Sequence, residues 1–186
     1  VAGVTAGGVG PCGRAGYRGG VPRRARRLVV PAASCGLLLG GLTACASAVP
    51  VQAAPDATDP VCARVVLDTP SSLGPGLDRR DTDAQATTAW GSKEAAVVLR
   101  CGVTPLGPTT DKCVTVETPG GPSVDWVVVA SNGEDDPRSD WTFTTYGRVP
   151  AVEVRVPAQV ASSHSTTFLD ELGQAVAQTK KERGCI

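Results

Sequence analysis

Cysteine is the residue type best placed to do chemistry in this chain. Seven occur among 186 residues: Cys12, Cys35, Cys45, Cys62, Cys101, Cys113 and Cys185. Cys62, Cys101, Cys113 and Cys185 form an even set in one stretch, which reads as a disulfide framework if that stretch is exported. Three pairings are open. Cys101–Cys113 with Cys62–Cys185 is preferred. The first would close a Pro/Gly-rich connection between two strands expected to be neighbours, and the second would tie the first strand to the end of the last helix. With a single His and no CxxC pair, no zinc site, other metal or cofactor is expected.

Three further groups could carry chemistry. His164 is flanked by Ser162, Ser163 and Ser165, but a Ser/His nucleophile needs base and hydroxyl apposed with an orienting acid. Neighbours in a polar loop rarely achieve that, so no catalytic residue is assigned. Glu134, Asp135, Asp136 and Asp140 could offer oxygen ligands, yet they lack the alternation of a calcium loop and read as a turn. Arg79, Arg80, Arg100 and Arg148 are the more informative set. Guanidinium groups bind carboxylate or phosphate bidentately, and Trp90, Trp141 and Tyr146 stand near them in sequence. If Arg79, Arg80, Arg148, Trp90, Trp141 and Tyr146 converge, they would make an anion or glycan site with aromatic walls. If not, the arginines pair with acids such as Asp78, Asp81 or Glu153, and Trp126 belongs to the core.

These side chains must be positioned by the surrounding elements. Short runs of β-branched and aromatic residues predict strands over 62–68, 95–103, 112–117, 124–130, 141–146 and 151–157. In the last, Val152, Val154 and Val156 face inward while Glu153 and Arg155 face out. A short helix is expected within 81–90. Phe168, Leu172, Ala175, Val176 and Thr179 share one face at helical spacing. Thr167 and Asp170 suggest a capping box, and Lys180, Lys181 and Arg183 suit the helix end. The fold expected is α+β: an antiparallel sheet of about five or six strands with a C-terminal helix packed on one face, held by two disulfides.

The charges are segregated. Residues 1–44 hold six arginines and no acid, while the remaining 12 basic residues stand with all 18 acids, a net of −6. An acidic folded part disfavours nucleic-acid binding. Arg23, Arg24, Arg26 and Arg27 precede an apolar run over 28–44, the pattern of an export signal. The run ends Leu42-Thr43-Ala44-Cys45, which resembles a bacterial lipobox. That resemblance implies that Cys45 receives a diacylglycerol and becomes the N-terminus. A secreted protein cut after Ala46-Ser47-Ala48, or a single-pass anchor within 28–55, are the alternatives. The expected organisation is a leader over 1–44, a flexible tether over 45–60 and one extracytoplasmic domain over 61–186.

The order Arg79-Arg80, Ala89-Trp90-Gly91, Val98-Leu99-Arg100-Cys101-Gly102-Val103, Cys113, Asp125-Trp126-Val127 and Thr142-Phe143-Thr144-Thr145-Tyr146-Gly147-Arg148-Val149-Pro150-Ala151-Val152-Glu153-Val154 resembles a known family. It is a family of small actinobacterial secreted or lipid-anchored proteins classed as a domain of unknown function. The resemblance covers about residues 60–185. It implies an extracytoplasmic, membrane-tethered domain, and it supplies no reaction, cofactor or catalytic residues. The function expected is a non-catalytic module on the outer face of the cytoplasmic membrane, binding an envelope protein or cell-wall component. A small-ligand or glycan binder using the arginine and aromatic set is the alternative. An envelope hydrolase would need paired carboxylates about 5–9 Å apart in a cleft, or an activated nucleophile.

Overall fold

The computed structural model describes residues 48–164 and 166–186. The expected leader, Cys12, Cys35, Cys45 and Ser165 lie outside the described residues. The framework is a seven-stranded antiparallel sheet: β1 (Arg79–Arg80), β2 (Thr87–Gly91), β3 (Ala96–Val103), β4 (Cys113–Val116), β5 (Val124–Ala130), β6 (Trp141–Thr145) and β8 (Ala151–Val156), in the order β1-β2-β3-β8-β6-β5-β4. A two-residue strand β7 (Arg148–Val149) pairs with β9 (Lys180–Lys181) near the C-terminus.

Alternation along each strand gives the sheet two faces. Val97, Leu99, Cys101, Val152, Val154, Val156, Phe143, Trp126 and Val128 point to one face and join the main core. That face is covered by helix α1 (Pro60–Leu67), a 3₁₀ segment over Thr166–Leu172 and the short helix α3 (Gly173–Val176). A further short helix, α2 (Ala158–Ser163), contributes Val160. The α+β architecture with C-terminal helical turns on one face is therefore as expected, with one or two more strands.

Three local expectations are corrected. Residues 62–67 belong to helix α1, with Asp68 as its C-cap, and do not form a strand. Asp59 caps it by accepting from the Val61 N–H at 2.7 Å, and Pro60 supplies a first-turn φ already suited to a helix. Cys62 and Val65, three apart, then face the sheet. Residues 81–90 hold a turn followed by β2 rather than a helix. The single C-terminal helix is replaced by the 3₁₀ segment and α3. The change falls at Gly173, the weakest helix former of the stretch. Gly173 lies so close to Thr118 that a Cβ there would overlap the threonine hydroxyl.

The disulfides are Cys62–Cys101 and Cys113–Cys185, with Cα separations of 5.3 and 6.1 Å. This overturns the preferred Cys101–Cys113 and Cys62–Cys185. The reason is topological: β3 and β4 are successive in sequence, but β8, β6 and β5 lie between them in the sheet. Cys101 also points to the core face beneath α1, whereas Cys113 alternates with the core-packed Val114 onto the other face.

That other face is partly covered by the segment expected to be tether. Val49 bridges Thr82 in parallel and packs with Ala89 and Ala96. Ala54 and Ala57 pack with Val103 and Ala151. The chain over 49–57 is thus a strap of the domain, which the small residues beneath it admit at close range. Gly102 is the tightest point. Its φ is +91°, it accepts from the Asp56 N–H at 2.9 Å, and a Cβ would meet the Asp56 carbonyl and the Ala57 nitrogen. Gly102→Ala is expected to lose about 2 kcal/mol from left-handed strain and strap displacement. A lowered urea midpoint together with new protease cleavage within 49–57 checks this.

Candidate functional site

Of the six arginine and aromatic residues, only Arg79 and Trp90 are cross-strand partners, and the others stand elsewhere. On the core side of the β1 edge, the Arg79 guanidinium donates to the Val66 and Thr69 carbonyls at 3.0 and 3.3 Å, closing the C-terminal end of α1. Trp90 is fully buried and donates its indole N–H to the Pro70 carbonyl at 3.0 Å. Arg80 pairs across from Ala89, on the opposite face from Arg79. Trp141 and Tyr146 lie at opposite ends of the β6 region. Trp141 stacks with Phe143 at 6.5 Å, and Tyr146 carries the Arg183 guanidinium 5.4 Å above its ring. Arg100, outside that set, pairs with Glu153 at 2.8 Å, and Glu153 also holds Arg155 at 2.8 Å. The structure does not gather the six into one pocket.

Arg148 is the most committed of them. It is 5% exposed. Its guanidinium donates to the Thr179 carbonyl at 3.0 Å, and to the Val176 and Ser123 carbonyls at 3.4 Å each. It thereby joins the end of α3 to the start of β5. Burial draws its pKa down, and the nearby Asp125 carboxylate opposes that shift.

Asp125 is the second buried charge, and the sequence reading did not single it out. It accepts from the Thr115 hydroxyl at 2.7 Å and from the Cys185 N–H at 3.4 Å, and it pairs with Lys181 at 3.1 Å. Burial opposes its ionisation, but the Thr115, Lys181 and Cys185 contacts outweigh it and hold the pKa below its usual 3.8. A carboxyl so depressed stabilises the fold above its unfolded value and loses that contribution as pH falls through the folded one. Asp125→Asn is therefore expected to be less stable than the parent at pH 7. The gap should narrow as pH drops below 3.8, read as urea midpoints along a pH series.

His164 lines a cleft of about 450 Å³ with Leu73, Pro75, Phe168, Asp170 and Glu171. Its Nε2 lies 3.0 Å from the Pro75 carbonyl, and its Nδ1 lies 2.9 Å from the Ser163 hydroxyl. The Pro75 carbonyl can only accept, so the Nε2 contact is an N–H donated by the imidazole. The same hydroxyl also faces the Gln159 carbonyl at 2.7 Å. A carbonyl, not a carboxylate, orients this imidazole. It ties α2 to the 73–75 loop rather than forming a Ser/His/acid relay.

Three of the four acids of the 131–140 loop take separate partners. Glu134 pairs with Lys112 at 2.9 Å, Asp136 with Arg138 at 2.9 Å, and Asp140 accepts from the Ala158 N–H at 2.8 Å.

One open feature remains on the strap side of the sheet. A cleft of about 410 Å³ is lined by Ala96, Val98, Val129, Trp141, Arg155 and Pro157, among others. Val129 is 47% exposed and Val98 is half-buried, while Trp141, opposite Val156 and stacked on Phe143, borders the cleft from the core face.

Residues 36–185 match the family described as "Protein of unknown function (DUF3515)". No curated protein and no solved structure matches the chain. Among the described residues, no helix is long and apolar enough to cross a membrane. The two disulfides point to an oxidising, extracytoplasmic setting.

Proposed function

The chain belongs to the DUF3515 family of proteins of unknown function, and from that premise we propose that it is a membrane-tethered, non-catalytic module of the bacterial cell envelope. It is held through lipid-modified Cys45 and binds an envelope protein or cell-wall component. The observation that carries this reading is the disulfide framework standing directly behind an Arg block, an apolar run and a lipobox-like cysteine. Both disulfides require oxidation after export, and the order of leader segments supplies the export and the anchor.

The polar groups with most chemical capacity are committed to the fold. Arg79, Arg148 and His164 are engaged with backbone carbonyls, where they hold elements together. The scattering of the arginine and aromatic set leaves the anionic-ligand reading without a shared wall.

In-cell crosslinking of the full, tagged, membrane-bound protein tests the proposal. One stoichiometric envelope partner, or a defined cell-wall fragment, is the result expected. Turnover of envelope material by the purified protein would overturn the non-catalytic reading.

A further inference from the structure

The cleft beside His164 carries polar groups that the fold leaves unpaired. Its volume is about 450 Å³, within the range of small-ligand sites. One wall is the 72–75 loop, which is closed on itself. The Leu73 N–H donates to the Leu77 carbonyl and the Leu77 N–H to the Gly74 carbonyl, each at 3.0 Å. The Ser72 hydroxyl donates to the Gly74 carbonyl at 2.9 Å. The His164 imidazole then ties the loop to α2 through the Pro75 carbonyl. The facing wall is the 3₁₀ segment. Side chains three apart eclipse in such a helix, so Thr167 stands in line with Asp170, and Phe168 with Glu171. Leu73 and Phe168 are buried and give the cleft an apolar floor.

Asp170, half-buried, and Glu171, exposed, both line this cleft. Neither carboxylate has an ion-pair or hydrogen-bond partner among the described residues. The cations nearby are committed elsewhere. His164 gives its Nε2 proton to Pro75, and Arg79, beyond the loop, gives its guanidinium to the Val66 and Thr69 carbonyls. Among the described residues, no lysine or arginine lines the cleft. A negative rim over an apolar floor therefore lacks its cation.

Two carboxylates do not complete the shell of a hard metal ion, which takes about six to eight oxygens in the case of calcium. No three His, Cys, Asp or Glu side chains stand together as a metal site among the described residues. An organic cation asks for less. Its ammonium head needs acceptors at the rim, and its stem needs the apolar floor. We propose that this cleft binds a primary ammonium group carried on an apolar stem, as in the side chain of lysine or another diamino acid. The proposal rests on the binding role given above, not on the anchor at Cys45, and it names the group that the bound component presents. A lysine of an envelope protein and the free amine of a cell-wall peptide both present it.

The test titrates the full ¹⁵N-labelled protein, extracted in detergent, with Nα-acetyl-lysine methylamide and with its Nε-acetylated counterpart. The first is expected to move the amide signals of Gly74, Phe168 and Asp170 in a saturable way, and the second to leave them in place. Asp170→Asn should weaken binding about fivefold, the upper end for a partly exposed ion pair, with signals outside the cleft unchanged. Glu171→Gln should weaken it less. Equal binding of the two probes, or binding of neither, would overturn the site while leaving the in-cell crosslinking test of the binding role intact. Carbodiimide coupling in intact cells then separates the two sources: the amine joined to Asp170 or Glu171 belongs to a protein lysine or to a cell-wall peptide. Adducts that avoid both residues would overturn the site as the place where the component is held.

Discussion

Replacing Cys62 and Cys101 together by alanine is expected to lower stability by roughly 4 kcal/mol, the loop-closure value for a bridge of this span. The sequence separation is 39 residues, and both sulfurs are fully buried. The bridge ties α1 to the middle of β3, so both ends stay ordered when it is cut, and the full loop entropy returns only to the unfolded chain. Cys113–Cys185 spans 72 residues, and loop length alone would make it the stronger bridge. Its position reverses that order. Cys185 is next to the C-terminus, so without the bridge the tail gains freedom in the folded state too, and the net loss should be roughly half as large. The tail keeps Lys181 on Asp125 and the Glu182 and Arg183 N–H groups on the Gly147 carbonyl. Both Cys113 and Cys185 are half-exposed beside a small cleft. Graded reduction with alkylation mapping should therefore open this bridge first. Equal urea midpoints for the two double variants, or reduction of Cys62–Cys101 first, would contradict this account.

Arg148→Met is expected to cost about 3 kcal/mol, in the range seen when one member of a buried charged network is removed. Methionine fills much of the volume, so the loss reports the guanidinium. Three carbonyls, at Ser123, Val176 and Thr179, lose their donor, and Asp125 loses a neighbouring cation. Arg148→Lys should recover part of the stability, since one ammonium cannot span carbonyls on two elements as the fork does. Arg155→Met, on an exposed side chain, should change little. A drop for Arg148→Met no larger than that for Arg155→Met, in urea melts at pH 7, would show that Arg148 is not a structural clamp.

Much of the sheet was legible because its strands obey one rule. In 95–103, 124–130 and 151–157 the β-branched content and alternation survive to within a residue or two of β3, β5 and β8. Helix α1 was hidden by its valines, which favour strands on average, although Asp59-Pro60 carried the capping signal. The strap was hidden for a different reason. A segment of Ala, Pro and Val reads as linker by composition, and its burial depends on what lies beneath it. The available clue was on the partner strands: Ala89, Ala96, Gly102 and Ala151 are small at positions where an open sheet face would carry larger polar side chains.

The strand order decided both the disulfide pairing and the arrangement of the arginine and aromatic set. The preferred Cys101–Cys113 pairing assumed that strands successive in sequence are neighbours in space. The order β3-β8-β6-β5-β4 separates Cys101 from Cys113, and it leaves Arg79 and Trp90 at the opposite side of the sheet from Tyr146. Nothing in a single strand's pattern encodes its place in the sheet. Asp125 was missed because it sits in an otherwise apolar run, VDWVVVA. A lone acid in a central strand is itself the signal of a buried, partnered charge.

The most direct test of an exported, anchored and oxidised domain is the intact mass and disulfide map of the protein extracted from its native membrane. The account predicts a chain that begins at Cys45, carries diacylglycerol there, and contains Cys62–Cys101 and Cys113–Cys185. A chain that retains residues before Cys45, or one whose four downstream cysteines are free thiols, would contradict it.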